Sequence, residues 1–504
     1  METKMVSNPK RLHFILIPLM AQGHLIPMVD ISKILARQGN IVTIVSTAQN
    51  ASRVAKTVER ARSESGLQIN VVTFPIAHKK FGLPENCETL DTLPSKDLLR
   101  KFYDAVEEFQ EPLESFLEEQ ETPPSCIISD KCLFWTSETA KKFNIPWILF
   151  HGMCCFNLLS SHNLHLHSPH LSVSSDTEPF TIPAMPHKVE IARSQLSGAF
   201  RKKANTDDVR REKMREAEAG AFGVIVNSFQ ELEPGYAEAY AEAIKKKVWF
   251  VGPVSLCNDR MDLIDRGNNY NMAISETACL KFLDSMRPKS VLYVCLGSLC
   301  RLIPSQLIEL GLGLEESGKP FIWVVKTEEK HMNVLKEWLQ LEMFEERVKG
   351  RGIVITGWSP QAMILSHGST GGFLTHCGWN SASEGVSFGV PMITWPMFAE
   401  QFLNEKLVVE VLKVGVRVGV EIPVRWGEEE RVGVSVKKHS VVKAIKLLMD
   451  DDCQSGNEDG EFLGRRKRIQ ELSVMAREAV GLKGSSSTNV SLFIQDVLEK
   501  LSIE

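Results

Sequence analysis

Residues 358–401 read WSPQAMILSHGSTGGFLTHCGWNSASEGVSFGVPMITWPMFAEQ, and the order of parts in this stretch decides the fold. A short apolar run, Gly372–Thr375, leads into His376-Cys377-Gly378-Trp379-Asn380-Ser381 and then into a helix-like segment. A second apolar run, Pro391–Thr394, follows that segment. Strand, small polar turn, helix and strand in that order make one unit of a parallel sheet. The turn also suits a phosphate, because the first backbone N–H groups of a helix are unpaired and its dipole is positive there. His376, Asn380 and Ser381 can add donors. Glu384, one turn on, can accept from two neighbouring ribose hydroxyls. Trp358 offers a flat face to a base, and Glu400 and Gln401 follow the next strand, where they can hold sugar hydroxyls. Base, ribose, phosphate and sugar are all provided for.

Outward from this stretch, β-branched runs alternate with helix-like segments along the chain. They are Leu12–Ile17, Ile41–Ser46, Val71–Phe74, Cys126–Ser129, Trp147–Phe150, Gly223–Asn227 and Val248–Val251, then Ser290–Leu296, Phe321–Val325 and Gly352–Thr356 before the two runs above. Near-continuous apolar strands between helices imply parallel sheets covered on both faces. The alternation restarts near Ser290, so the expected architecture is α/β with two doubly wound domains and a ligand between them, beyond the carboxyl ends of the strands. The expected division is an N-terminal domain, residues 1–254, and a linker, 255–276. A C-terminal domain, 277–482, and a final helical segment, 483–504, complete it. The linker reading rests on polar residues without an apolar period. In the last segment Val490, Phe493, Ile494, Val497, Leu498 and Leu501 share one helix face, which must dock.

Gln22-Gly23-His24 follows the first strand. A histidine near the start of a helix can act as a general base, its ordinary pKa of ~6.5 being close to working pH. Such a base needs an orienting partner, and Asp130 closes the strand Cys126–Ser129 at the same sheet edge. On position alone, His24 is also readable as a capping or core residue, and Asp130 as a helix cap.

Taken together, the signature at 358–401, the opening MAQGHLIPMVD with His24, and the ISD at Asp130 resemble the plant UDP-dependent glycosyltransferases of specialised metabolism, over essentially the whole chain. The resemblance implies the two-domain GT-B fold and inverting O-transfer from a UDP-sugar to a small apolar acceptor, without a metal or other cofactor. It implies His24 as base and Asp130 as its partner. It places Trp358 on uracil, Gln361 beside the nucleoside and Glu384 on ribose. His376, Asn380, Ser381 and Ser298 fall on the diphosphate, and Trp379, Glu400 and Gln401 on the sugar, with glucose the expected hexose. The final helix is expected to cross back onto the N-terminal domain. The branch resembled includes flavonoid and triterpenoid glucosyltransferases, so the acceptor is expected to be a flavonoid, a triterpenoid or steroid, or a phenolic hormone. This chain departs from the family in Ala382-Ser383, where Thr-Leu is usual, in Gly368 for a common Pro, and in Glu400 for a frequent Asp. Near His151-Gly152 it lacks a Thr that touches the sugar in some relatives.

Other classes fit poorly. The net charge of −5 argues against a nucleic-acid partner. No third glycine follows Gly311 and Gly313 at the spacing a nicotinamide dehydrogenase needs, and no P-loop motif is present. His162, His165, His167 and His170 tempt a metal reading, yet their spacing matches no common ligand set. Leu12–Met20 reads as a strand rather than a secretory signal, no run approaches the ~18 apolar residues of a membrane span, and the sequons at Asn50 and Asn489 are expected to carry no glycan. The eleven cysteines form no CxxC pair and suit a reducing cytoplasm. The basic run Arg465–Arg468 reads as a solvated helix face. A monomer is expected. A non-catalytic UDP-sugar-binding protein is the remaining rival, and it would be expected to lack the base that His24 and Asp130 supply.

Overall fold

The computed structural model describes residues 11–200, 206–267, 276–450 and 459–503. Two parallel sheets dominate it. In the first, β1 (His13–Ile17), β2 (Ile41–Ser46), β3 (Ile69–Thr73), β4 (Cys126–Asp130) and β5 (Trp147–His151) are joined by β8 (Gly223–Val226) and β9 (Lys247–Phe250), in the order β3-β2-β1-β4-β5-β8-β9. Between β5 and β8 a short antiparallel hairpin forms from β6 (Pro179–Thr181) and β7 (Glu190–Ala192). The second sheet contains β10 (Val291–Cys295), β11 (Phe321–Val325), β12 (Gly352–Thr356), β13 (Thr370–Thr375), β14 (Met392–Thr394) and β15 (Gly415–Arg417), in the order β12-β11-β10-β13-β14-β15.

The central strands are buried from end to end, as in His13–Ile17 and Trp147–His151. That is why they read as unbroken apolar runs rather than as alternating ones. Each sheet reverses its strand order once, between β1 and β4 in the first and between β10 and β13 in the second. The crevice at such a reversal is where open α/β sheets bind ligands. His24 follows β1 and Asp130 ends β4; Ser298 follows β10 and His376 follows β13. Both switch points therefore carry residues singled out from the sequence.

The final helix, Ser485–Ile503, packs on the first sheet. Phe493 is fully buried, its ring 5.6 Å from Phe14 and 5.0 Å from Trp249. The Trp249 indole N–H donates to Asp496 at 2.9 Å.

Two expectations need correction. Residues 255–276 do not make a bare polar linker: a helix spans Arg260–Asp265 with Leu263 and Ile264 buried. Two adjacent apolar residues leave no period in the sequence, and the polar ones are neutralised by partners far away, Asp262 by Lys33 and Asp265 by Arg60. Residues 268–275 lie outside the described part. The basic run Arg465–Arg468 is not wholly solvated, since Arg465 is buried and donates to the carbonyl of Leu447. Asn50 is fully buried and donates its side-chain amide to Thr47. No described helix is long and apolar enough to cross a membrane.

Candidate active site

A cleft of about 530 Å³ separates the two sheets' carboxyl edges, a size ordinary for a small-molecule site. His24 and all ten residues assigned to a UDP-sugar from the sequence line it: Ser298, Trp358, Gln361, His376, Trp379, Asn380, Ser381, Glu384, Glu400 and Gln401. Asp130 stands behind His24.

His24 sits in the first turn of the helix Gln22–Arg37. Its Nδ1 meets Asp130 Oδ1 at 2.7 Å, with the His24 side chain 33% exposed and Asp130 3%. The other oxygen, Oδ2, accepts from the backbone N–H of Leu19 at 2.7 Å. The carboxylate is thereby fixed from both ends. Burial alone would lower the His24 pKa. The charge and hydrogen bond of Asp130, with Glu400 beyond, outweigh it and raise the pKa above the ordinary 6.5. An imidazole held at Nδ1 by a carboxylate keeps Nε2 free to take a proton. Burial raises the Glu400 carboxyl, which the nearby His24 partly offsets.

Across the cleft, the helix Trp379–Ser387 begins at Gly378 with no side-chain cap, so its first N–H groups are left for a ligand. His376 is packed between two glycines: a side-chain carbon on Gly297, at φ +82°, would lie 2.6 Å from its ring, and one on Gly378 2.4 Å from it. Desolvation pushes the His376 pKa down to about 4. It is neutral near pH 7 and can offer a ligand one N–H, not a charge.

Several of these residues already have polar partners. Glu384 Oε1 is ion-paired with Arg266, and Oε2 accepts from Gln361 Nε2 at 2.8 Å. Gln361 also donates to Ser381 Oγ at 3.1 Å. The Trp379 indole N–H donates to the carbonyl of Asn227 at 2.7 Å, so only its ring can meet a sugar. Asn380 donates to the carbonyl of Gly23, next to His24, while its own Oδ1 has no partner. Gln401 Oε1 accepts from the N–H groups of Met397 and Phe398 at 2.8 and 3.1 Å. That leaves the Gln401 amide nitrogen as its atom for a ligand.

Sequence reasoning overlooked four contributors. Arg266 was counted only as a polar linker residue. Arg53 and Asp91, paired at 2.7 Å, line the cleft with Lys326, whose ammonium is 3.5 Å from Asp91. No local pattern marks any of them, because each gains its place from a distant segment. The histidines at 162 and 165 lie on the helix Cys155–His167, and His170 packs its ring against Phe200. Among the described residues no three His, Cys, Asp or Glu side chains gather as a metal site.

Comparisons with known proteins agree with the two-sheet architecture. The family model described as UDP-glucoronosyl and UDP-glucosyl transferase matches residues 234–423, and that of the glycosyltransferase N-terminal domain matches residues 10–256. UDP-glycosyltransferase 73D1 of Arabidopsis thaliana is 80% identical over 507 residues, covering 100% of both chains. The crystal structure of Glycyrrhiza uralensis UGT73P12 complexed with glycyrrhetinic acid 3-O-monoglucuronide superposes with a TM-score of 0.87 at 36% identity, over 97% of this chain and 96% of that one. Phytolacca americana UGT2, complexed with UDP-2fluoro-glucose and pterostilbene, gives a TM-score of 0.74 at 26% identity, over 97% of this chain and 100% of that one. The chain belongs to the plant UDP-dependent glycosyltransferases, enzymes of the GT-B fold that catalyse glycosyl transfer.

Proposed function

We propose that this enzyme transfers glucose from UDP-glucose to a hydroxyl of a small apolar plant metabolite, with inversion at the anomeric carbon. The observation that carries the reading is the His24–Asp130 contact at 2.7 Å, opening onto the same cleft as the uncapped helix at Gly378. His24 Nε2 takes the proton from the acceptor hydroxyl as its oxygen attacks the anomeric carbon. The bond to the diphosphate oxygen breaks, and UDP leaves. The negative charge on the leaving group meets the free N–H groups of the helix, with His376, Ser298 and Ser381 as further donors. Trp358 stacks on uracil, Glu384 holds ribose, and Trp379, Glu400 and Gln401 surround the sugar.

The donor reading is supported by the solved relative that holds UDP-2fluoro-glucose. The acceptor is proposed to be a flavonoid, a triterpenoid or steroid, or a phenolic hormone. The relatives that hold pterostilbene and glycyrrhetinic acid 3-O-monoglucuronide support testing aglycones of those kinds first. The phosphate donors above are proposed to act without a divalent cation. The ten free cysteines among the described residues support a reducing compartment, the cytoplasm. One chain builds both walls of the cleft, which supports a monomer. Incubating the purified enzyme with UDP-glucose and such aglycones, before and after dialysis against EDTA, tests the proposal. A β-glucoside formed equally in both is expected. No transfer to any acceptor, or activity restored only by magnesium or manganese, refutes the corresponding part.

A further inference from the structure

Arg266 occupies a junction that the reaction scheme leaves unexplained. Its side chain is 8% exposed, and Asp30 and Glu384 are 1% and 6% exposed. Nε and one terminal nitrogen reach Asp30 Oδ2 at 2.9 and 2.7 Å. The other terminal nitrogen holds Glu384 Oε1. Asp30 belongs to the helix Gln22–Arg37, the helix of His24, and is itself held by Asn258 at 2.8 Å. One residue on, the carbonyl of Gly267 accepts from Gln22 Nε2 at 3.2 Å.

The geometry points to Arg266 as a positioning residue that sets Glu384 for the two ribose hydroxyls of the nucleotide. This rests on the UDP-sugar reading above. A carboxylate offers about four acceptor positions, two on each oxygen. Arg266 takes one on Oε1 and Gln361 takes one on Oε2. One position is left on each oxygen, and two acceptor oxygens on one carboxylate suit a vicinal diol. The guanidinium is planar and forked, so it fixes the carboxylate's orientation where a lysine would fix only a point charge. It also supplies the counter-charge that a carboxylate this deeply buried needs. Because the same fork grips Asp30, the ribose clamp and the helix of His24 are held by one side chain.

The test compares UDP with 2′-deoxy-UDP as ligands, by calorimetry, in the wild type and in Arg266→Gln. The wild type is expected to prefer UDP by roughly tenfold or more, the range for hydrogen bonds to a charged group. In Arg266→Gln that preference is expected to fall to about threefold or less, with the affinity for 2′-deoxy-UDP much less changed. If the variant does not fold, Arg266→Lys, which keeps the charge and loses the fork, carries the same comparison. Loss of affinity for both nucleotides by the same factor would make Arg266 part of the scaffold and overturn the inference. A wild type that binds UDP with no preference over 2′-deoxy-UDP would overturn it as well. Wild-type enzyme that binds no UDP at all would instead refute the donor reading itself, so the two failures are told apart.

Discussion

Asp130→Asn is the sharpest perturbation of the proposed chemistry. Asp130 accepts twice, from His24 Nδ1 and from the N–H of Leu19, both at 2.7 Å. Asparagine has one acceptor oxygen and one NH₂ group. The Leu19 N–H can only donate, and leaving it unpaired in the interior costs about 1–3 kcal/mol. The imidazole can change tautomer instead. The asparagine oxygen therefore turns to Leu19, and its NH₂ faces Nδ1. Nδ1 then accepts, Nε2 carries the proton, and the nitrogen facing the acceptor can no longer take one. The expected loss in kcat/KM is the full worth of a general base, about 10²–10⁴, or ~3–6 kcal/mol at ~1.4 kcal/mol per decade. Asp130→Ala has no NH₂ to impose the wrong tautomer and should lose less. A pH profile gives the second readout. The base must be neutral, so wild-type activity falls as pH drops through a His24 pKa that lies above 6.5. In Asp130→Ala, without that charge, burial dominates, the pKa falls, and the acid limb moves to lower pH. The assay is initial rates with UDP-glucose and an aliphatic alcohol, since an acidic phenol needs little help from a base. An Asn variant that keeps a tenth or more of the activity, or that exceeds the Ala variant, would refute the tautomer argument.

Other substitutions test separate parts. His24→Ala should lower kcat/KM for the alcohol by about 10²–10⁴ while calorimetric UDP affinity holds, because the nucleotide contacts proposed above come from the second domain. Gln401→His should narrow the preference for UDP-glucose over UDP-galactose, read as the ratio of kcat/KM values, and should also lower Tm, because the Met397 and Phe398 N–H groups lose their acceptor; an unchanged ratio would leave Gln401 a scaffold residue. Phe493→Ala empties a fully buried site between Phe14 and Trp249, and urea unfolding should show a loss of about 3–5 kcal/mol.

The strands were legible because parallel sheets bury both faces, and an unbroken apolar run such as Trp147–Phe150 survives any reading frame. Where burial is partial the boundaries slipped. β3 is an edge strand with its middle residues half-exposed, and it spans Ile69–Thr73 rather than Val71–Phe74. The strands Pro179–Thr181, Glu190–Ala192 and Gly415–Arg417 went unread, since each is three residues with an exposed end, whereas the equally short Met392–Thr394 is buried throughout. The residues that line the second wall of the cleft were legible for a different reason. A turn running into a helix N-terminus is built from consecutive residues, so sequence order preserves it.

Their partners on the opposite wall were not legible, and these follow one rule. Asn380 reaches Gly23, Trp379 reaches Asn227, Arg266 joins Glu384 to Asp30, and Asn404 in the second domain pairs with Asn157 in the first. Each link joins segments more than a hundred residues apart, and each ties the donor wall to the wall that carries His24. A general base works only within hydrogen-bond reach of the proton it removes. The acceptor oxygen must also stand close to an anomeric carbon that the opposite wall positions. The cross-cleft links are therefore part of what sets that distance. Two positions in the signature, Trp379 and Asn380, hold the walls together through polar atoms that a contiguous reading assigns to the sugar nucleotide alone.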